Sequence, residues 1–493
     1  MGRTTYKGNP ALQIVTEGVT YPTVPLFAPG NTIIGRVCRR AALVSTEASV
    51  QITLCGRAKS KITVRRHNAA SHGTTTTHYR GRFTLIDEDA HRQTIFNGPL
   101  HVADSSDNQT WSFVIDIPTH CSQRKLVNSV PANLSFLPLD AASVAIHRLP
   151  GTFDMDHSGW SSDREGFVEY WLEATILFIQ HGKQRSETAT LPIIIASANN
   201  DPPITDFGNR RYRELRVISS FRLLPNMEAA ELTFQQKCQQ LFGSSKVPRA
   251  AGKLELYMPR IMQLGNPSTV PLRLRFVPDK KLSSDNMHDI PIKIVLQSLR
   301  MTLMTKTTVR CAAAFSPREA SDDTEITLNI WPPSPGQPSS ILYIPCTGEY
   351  PPIDVGAKAD FRLNSQAPRQ ALRKLYPRFT TYNLMHTHYF KFEIVATASG
   401  EEMKMNAFES VVILPASEAR QAPVAAYSAH PGSSAVQQEE EAPPPPFQPR
   451  SESWIRPPAE TDAPPTFAQA QEENVTRKSQ EAERSTEAGP SVP

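Results

Sequence analysis

No CxxC pair occurs among the six cysteines Cys38, Cys55, Cys121, Cys238, Cys311 and Cys346, so neither a zinc ribbon nor a thioredoxin-type site is supported. No Walker loop, GxSxG elbow or HExxH helix is present, and no enzyme activity is expected. No run approaches the ~20 apolar residues of a membrane span. The start, MGRTTYKGNPALQIVTEG, has no apolar signal core. Tyr6 stands where a myristoylation pattern needs Ser or Thr. An intracellular, cytoplasmic protein with reduced thiols is therefore expected, peripheral at most to the plasma membrane or endosomes. Net charge is also lacking: +4 over 493 residues. That excludes a globally basic nucleic-acid binder but leaves room for a local basic patch, and aromatic residues are too sparse among the basic ones for a base-stacking platform. Glycine is scarce, 23 against 43 prolines, which hints at many strand ends and a Pro-rich tail.

What is present is alternation. In FVEYWLEATILF, Val168, Tyr170, Leu172, Ala174, Ile176 and Phe178 fall on one side, and Glu169, Trp171, Glu173 and Thr175 on the other. Strands are predicted over 32–39, 50–54, 61–66, 78–86, 110–117, 167–180 and 187–195. After the break at Asn199–Pro203 they resume over 214–224, 253–258, 270–277, 292–302, 324–331, 359–363, 389–397 and 410–414. Many short strands without long helices read as an all-β chain of antiparallel β-sandwiches, two in tandem. The domains expected are residues 1–200 and 201–415, followed by a tail over 416–493. The tail is rich in Pro, Glu, Gln, Ser and Ala, and too poor in apolar residues to offset its ordering entropy. One helix is predicted in AAELTFQQKCQQLFG, where Phe234, Cys238, Leu241 and Phe242 recur at helical spacing before Gly243. It is expected as a connector or plug between the sandwiches; the rival reading continues the preceding strand through Phe234.

The order of several motifs carries a resemblance. A Pro29-Gly30 turn feeds Ile33-x-Gly35-x-Val37; IFNGPLHV follows, then WSFVIDIP, then LPGTF, then Val168-x-Tyr170-x-Leu172-x-Ala174. This series resembles the N-terminal domain of the arrestin family, and KLELYMPR, VPLRLRFV and the pair in HYFKFEIVATASGEEMKMNAFESVVILP look more faintly like its second domain. The likeness spans roughly residues 20–415 and is closest to the fungal α-arrestins, the arrestin-related trafficking adaptors. It implies a pair of immunoglobulin-like sandwiches and a non-catalytic adaptor without cofactor, which links cytoplasmic tails of membrane-protein cargo, acidic or phosphorylated, to endocytic or ubiquitin-ligase machinery. A retromer-subunit-like coat component is an alternative within the same fold. A secreted carbohydrate-active or carbohydrate-binding sandwich is an alternative of another class, with sequons at Asn108, Asn133 and Asn474.

Two groups of residues are candidates for binding. Arg36, Arg40, Lys61, Arg65 and Arg66, with Arg39, Arg57, Lys59, Arg80 and Arg82, crowd one stretch of the first domain. In KITVRR an inward row of Ile62 and Val64 presents an outward row of Lys61, Thr63 and Arg65, which suits an acidic or phosphorylated cargo tail or an anionic membrane surface, or else forms a solvated face. In the tail, Pro444, Pro445 and Phe447, and Pro464, Pro465 and Phe467, resemble the Pro-Pro-x-Tyr motif by which α-arrestins engage WW domains of Nedd4-type HECT ubiquitin ligases. Both carry Phe in place of Tyr. The polyproline backbone and aromatic plug remain, but a hydroxyl hydrogen bond worth ~1 kcal/mol is lost. His386 and His388 share a face of a strand and are expected as a solvated or hydrogen-bonded pair. His67, His72 and His78 are expected in a hairpin loop.

Overall fold

A computed structural model describes residues 3–7, 12–17, 24–68, 73–103, 109–197, 201–228, 230–332, 341–363 and 375–417. These residues are mostly β-sheet. The tail motifs at 444–447 and 464–467 lie outside them.

The first half contains β1 (Gln13–Thr16), β2 (Leu26–Phe27), β3 (Thr32–Arg39), β4 (Leu43–Asn68), β5 (Gly73–Thr84), β6 (Arg92–Val102), β7 (Gln109–Asp116), β8 (Phe153–Ser158), β9 (Ser162–Gln180) and β10 (Lys183–Ile195). Strands β1, β3 and β7 form an antiparallel sheet, and β2, β10, β9, β4 and β5 form a second, with β6 added on β4 and β8 on β9. The second half contains β11 (Arg210–Ser219), β12 (Arg249–Met258), β13 (Ile261–Gln263), β14 (Arg273–Pro278), β15 (Ile294–Cys311), β16 (Arg318–Trp331), β17 (Leu342–Ile344), β18 (Ile353–Asp354), β19 (Phe379–Thr380), β20 (Leu384–Ala398) and β21 (Glu401–Leu414). Here β11, β12, β14 and β18 make one sheet, and β13, β21, β20, β15 and β16 another, with β17 on β15 and β19 on β20.

Each half closes with a long hairpin, β9–β10 or β20–β21, whose last strand takes a short parallel partner, β2 or β13. The two hairpin turns share one geometry. His181 and Gly182 (φ 52° and 69°) and Ser399 and Gly400 (φ 50° and 84°) are both left-handed pairs, as a two-residue turn matched to strand twist requires.

Period-two burial explains the cores. In β3 and β7 every second residue is buried, and Ile33, Val37, Trp111, Phe113 and Ile115 meet Val50, Ile52, Leu172 and Ile176 in one cluster. Gly35 is the close approach: a Cβ there would lie 2.6 Å from Phe113 Cζ and 2.5 Å from the Val15 carbonyl. The Tyr170 hydroxyl, fully buried, donates to the Pro150 carbonyl at 2.6 Å. A second cluster runs from Phe207 to Ile413.

Several expectations are corrected. The runs at 50–54 and 61–66 are one 26-residue strand, β4. Residues 359–363 form no strand; they follow the short helix Val355–Lys358, because Asp354 caps it by accepting from Ala357 N at 3.1 Å. His67 and His78 lie on the strands of the β4–β5 hairpin; His72 lies outside the described residues. The helix Phe234–Leu241 forms as expected, but as an excursion between β11 and β12, and none of its residues is buried.

The two halves interlock. Val309, Cys311, Tyr382 and Leu384 of the second half belong to the first core. Tyr382 stacks on Phe83 at 5.3 Å and meets His147 Nδ1 at 3.1 Å. Asn383 Nδ2 donates to Ser60 Oγ at 3.0 Å, and Ser60 Oγ donates to the Arg310 carbonyl at 2.6 Å.

Candidate functional site

Strand β4 carries the basic row, and its neighbours decide what that row can do. Odd-numbered residues from Arg57 to Arg65 share the face away from Ala58 and Ile62, which belong to the core. Cross-strand register sets Arg57 opposite Glu169, Lys59 opposite Phe167 and Lys61 opposite Glu165 on β9. Ion pairs follow directly. Arg57 Nε reaches Glu169 Oε1 at 2.5 Å, and Lys61 Nζ reaches Glu165 Oε1 at 2.7 Å. Arg65 holds Asp163 through both terminal nitrogens and donates to the Gly159 carbonyl at 3.1 Å. The Arg65 hydrogen bond, together with the charges of Arg65 and Lys61, holds the Asp163 carboxyl below its ordinary value. The charged face noted in the sequence is thus a ladder with cations on β4 and carboxylates on β9.

Lys59 is the exception in the ladder. It is buried, faces the Phe167 ring at 5.7 Å, and has no carboxylate opposite it. Burial lowers its pKa, and the charge of Arg57 adds to the effect. On the other side of β4, β5 sets Arg82 opposite Lys59 and Arg80 opposite Lys61. Both arginines are exposed, and neither is ion-paired to a described residue. The outward face therefore grades from acidic on β9 through paired cations on β4 to uncompensated cations on β5.

The five principal candidates are not brought together. Lys61 and Arg65 stand in the ladder. Alternation turns the exposed Arg66 to the other face of β4. Arg36 and Arg40 are exposed on and just after β3, in the other sheet, where Arg36 lies opposite Ser112. Arg39 is withdrawn altogether, buried and paired with Glu187 at 2.7 Å. Arg80 and Arg82 are the residues that gain weight, and the signal for them was their register against Lys61 and Lys59, which a single sequence does not display.

No family model matches the chain, and no curated protein matches it.

Trp171, on the outward face between Glu169 and Glu173, is covered from within. The Arg57 guanidinium lies 4.6 Å from its ring centroid, and it is only 6% exposed. The segment 3–7 straps the same face. Thr4 N donates to Glu169 Oε2 at 2.8 Å, Arg57 donates to Thr4 Oγ1 at 3.1 Å, Lys7 bridges Thr190, and Arg3 pairs with Asp154. Sequence reasoning missed this strap.

His386 and His388 do share a face, but not a solvated one. Both are buried, and His386 packs against Phe153 and Phe379 at ring distances of 5.1 and 5.4 Å while its Nδ1 meets Thr307 Oγ1 at 2.8 Å. No group of three or more His, Cys, Asp or Glu suited to a metal exists among the described residues. All six cysteines are free thiols; burial raises the pKa of Cys121 and Cys346 to about 12 and that of Cys311 to about 11. No helix among the described residues is long and apolar enough to cross a membrane.

Proposed function

We propose that the chain is a non-catalytic adaptor of arrestin-like architecture, two tandem β-sandwiches with a Pro-rich tail, that receives acidic or phosphorylated cytoplasmic segments of membrane-protein cargo. The observation that carries this reading is convergence of the motif residues. Gly35 packs on Phe113, Tyr170 bonds to Pro150, and the Val168–Ala174 row lies in the same core, so motifs scattered over 140 residues of sequence serve one packing arrangement. The repeated closing hairpin with its parallel partner supports the tandem organisation. The cargo face is the β4–β5 side of the ladder. A phosphate brings nearly two negative charges and three acceptor oxygens, enough to compete with Glu165 and Asp163 for Lys61 and Arg65 while Arg80 and Arg82 bind its flanks. Linking this cargo to ubiquitylation falls to the Pro-Pro-x-Phe pieces of the tail.

The test is fluorescence anisotropy of a doubly phosphorylated peptide on the full chain. Arg80→Gln with Arg82→Gln should weaken binding by about tenfold, with marked salt dependence, since charge-assisted contacts contribute ~1.5–3 kcal/mol each before screening. Binding that ignores both substitutions and added salt removes the cargo face. For the tail, a 440–470 peptide should bind WW domains more weakly than its Phe447→Tyr, Phe467→Tyr counterpart by about fivefold or more, the cost of one missing hydroxyl bond.

A further inference from the structure

The helix Phe234–Leu241 is built the reverse of a helix that packs into a core. Thr233 and Gln236 close a capping box at its start, so it is a defined helix. Its polar side is fastened to the sheet: Gln240 Nε2 donates to Glu401 Oε1 at 2.7 Å, and Ser220 Oγ donates to Gln240 Oε1 at 3.4 Å. Its apolar side is turned to solvent. Phe234, Leu241 and Phe242 are 84%, 80% and 81% exposed, and at about 100° per residue they form one stripe with the half-buried Cys238. Three large side chains left bare on one stripe mark a contact surface.

The flanking charge identifies what makes the contact. From Leu232 to Ala250 the chain carries Lys237, Lys246 and Arg249 and no Asp or Glu, with the exposed Glu231 just ahead of the helix cap. All three cations are exposed, and none is ion-paired to a described residue. Lys237 lies about 60° from Phe234 around the helix, at the margin of the stripe, where a long side chain reaches a headgroup while its neighbours insert. The adjoining loop is tied to the start of β12 by Arg249 N donating to Ser284 Oγ at 3.0 Å, and its Leu282 is 47% exposed. The same loop carries Lys280 and Lys281 against Asp279, Asp285 and Asp289, with Lys280 paired to Asp289, so it adds apolar surface but no net positive charge. A second copy docked stripe to stripe would set these cations against themselves, which disfavours a symmetric dimer.

We propose that the Phe234–Phe242 segment is a membrane-contact element that lies on an anionic bilayer surface, with Phe234, Leu241 and Phe242 at the acyl boundary and Lys237, Lys246 and Arg249 among the phosphate-bearing headgroups. This stands apart from the peptide-binding face on β4 and β5.

The experiment is sedimentation of the full chain with phosphatidylcholine vesicles prepared with and without phosphatidylserine. Binding should require phosphatidylserine and weaken with salt. Phe234→Ser with Phe242→Ser should reduce it at least about tenfold, and Lys237→Gln with Lys246→Gln about fivefold per charge. Because these side chains are exposed, the melting temperature should not move, which separates lost contact from lost fold. Arg80→Gln with Arg82→Gln should leave vesicle binding intact. The proposal is overturned by absence of sedimentation with phosphatidylserine vesicles, by full binding of the Phe234→Ser, Phe242→Ser variant, or by a dimer that this variant dissolves. Retained phosphopeptide binding alongside any of these outcomes would leave the adaptor reading standing without the membrane element.

Discussion

His386 and His388 occupy the same row as Phe390, Phe392 and Ile394, the core face of β20. Period two put them there, and that much was legible. Their burial was not, because one ring that covers His386, Phe153 of β8, comes from more than 200 residues away, and the other, Phe379 of β19, reaches it only through strand pairing. Burial pushes the pKa of His386 down to about 3, with the neighbouring His388 adding to it; burial and the charge of Arg378 push His388 down to about 4. Both are therefore neutral when folded, while the unfolded chain takes up protons below the ordinary histidine value. Stability should fall as pH drops from about 6.5 toward 4, by at most about 1.4 kcal/mol per pH unit for each ring. His386→Phe should remove about half of that slope in urea titrations run at several pH values; an unchanged slope would assign it elsewhere. Glu255 has the same sign of pH dependence, from a different cause. Burial acts to raise its pKa, but hydrogen bonds from Arg275 at 2.7 Å and Tyr257 at 3.0 Å outweigh it and hold the carboxyl low. Its contribution is present above the ordinary glutamate value and is lost as pH falls through the lowered one.

At the scale of elements, β4 explains why one strand reads as two. Between its apolar runs lie Gly56, Ala58 and Ser60, small because other groups crowd them: a Cβ on Gly56 would meet the Tyr170 ring at 2.6 Å, and Ser60 is bonded to Arg310 and Asn383. Small residues carry no alternation signal, so the middle of the strand was silent. At 359–363 the alternation of Ala359, Phe361 and Leu363 suggested a strand, and the Asp354 cap prevailed instead. The close approach at Gly35 gives an element-level prediction. Gly35→Ala must displace Phe113 or the β1 backbone, and should cost about 1–3 kcal/mol in urea unfolding. No loss would mean that β1, β3 and β7 pack more loosely than their register implies.

For the whole molecule, the interlock couples two cores. A Cβ on Gly81 would lie 2.5 Å from Ser60 Oγ and 2.9 Å from the Arg310 carbonyl, at the point where β5 bridges Ala312. The parent chain should unfold in one calorimetric transition over residues 3–417, and Gly81→Val should separate it into two. Two transitions in the parent would show that the halves melt independently. The six thiols are a second global readout: all should react after denaturation, and the buried Cys55, Cys121 and Cys311 should react slowest in the folded chain.

Local periodicity, needing no partner, was enough to determine which side of the strongly alternating strands, such as 167–180, faces inward, because side chains alternate by covalent geometry alone. The turn pairs at His181-Gly182 and Ser399-Gly400 are equally local. What tertiary structure decided is who stands opposite whom. Lys61 reads as a free cation until β9 delivers Glu165, a residue 104 positions away, and Arg80 reads as one of many until its register sets it opposite another cation, Lys61. The helix was visible as an amphipathic stripe, yet only the anchoring of Gln240 to Glu401 turned its apolar side outward. Charge compensation and exposure depend on long-range neighbours, and in a sheet protein those neighbours are set by strand pairing between distant segments.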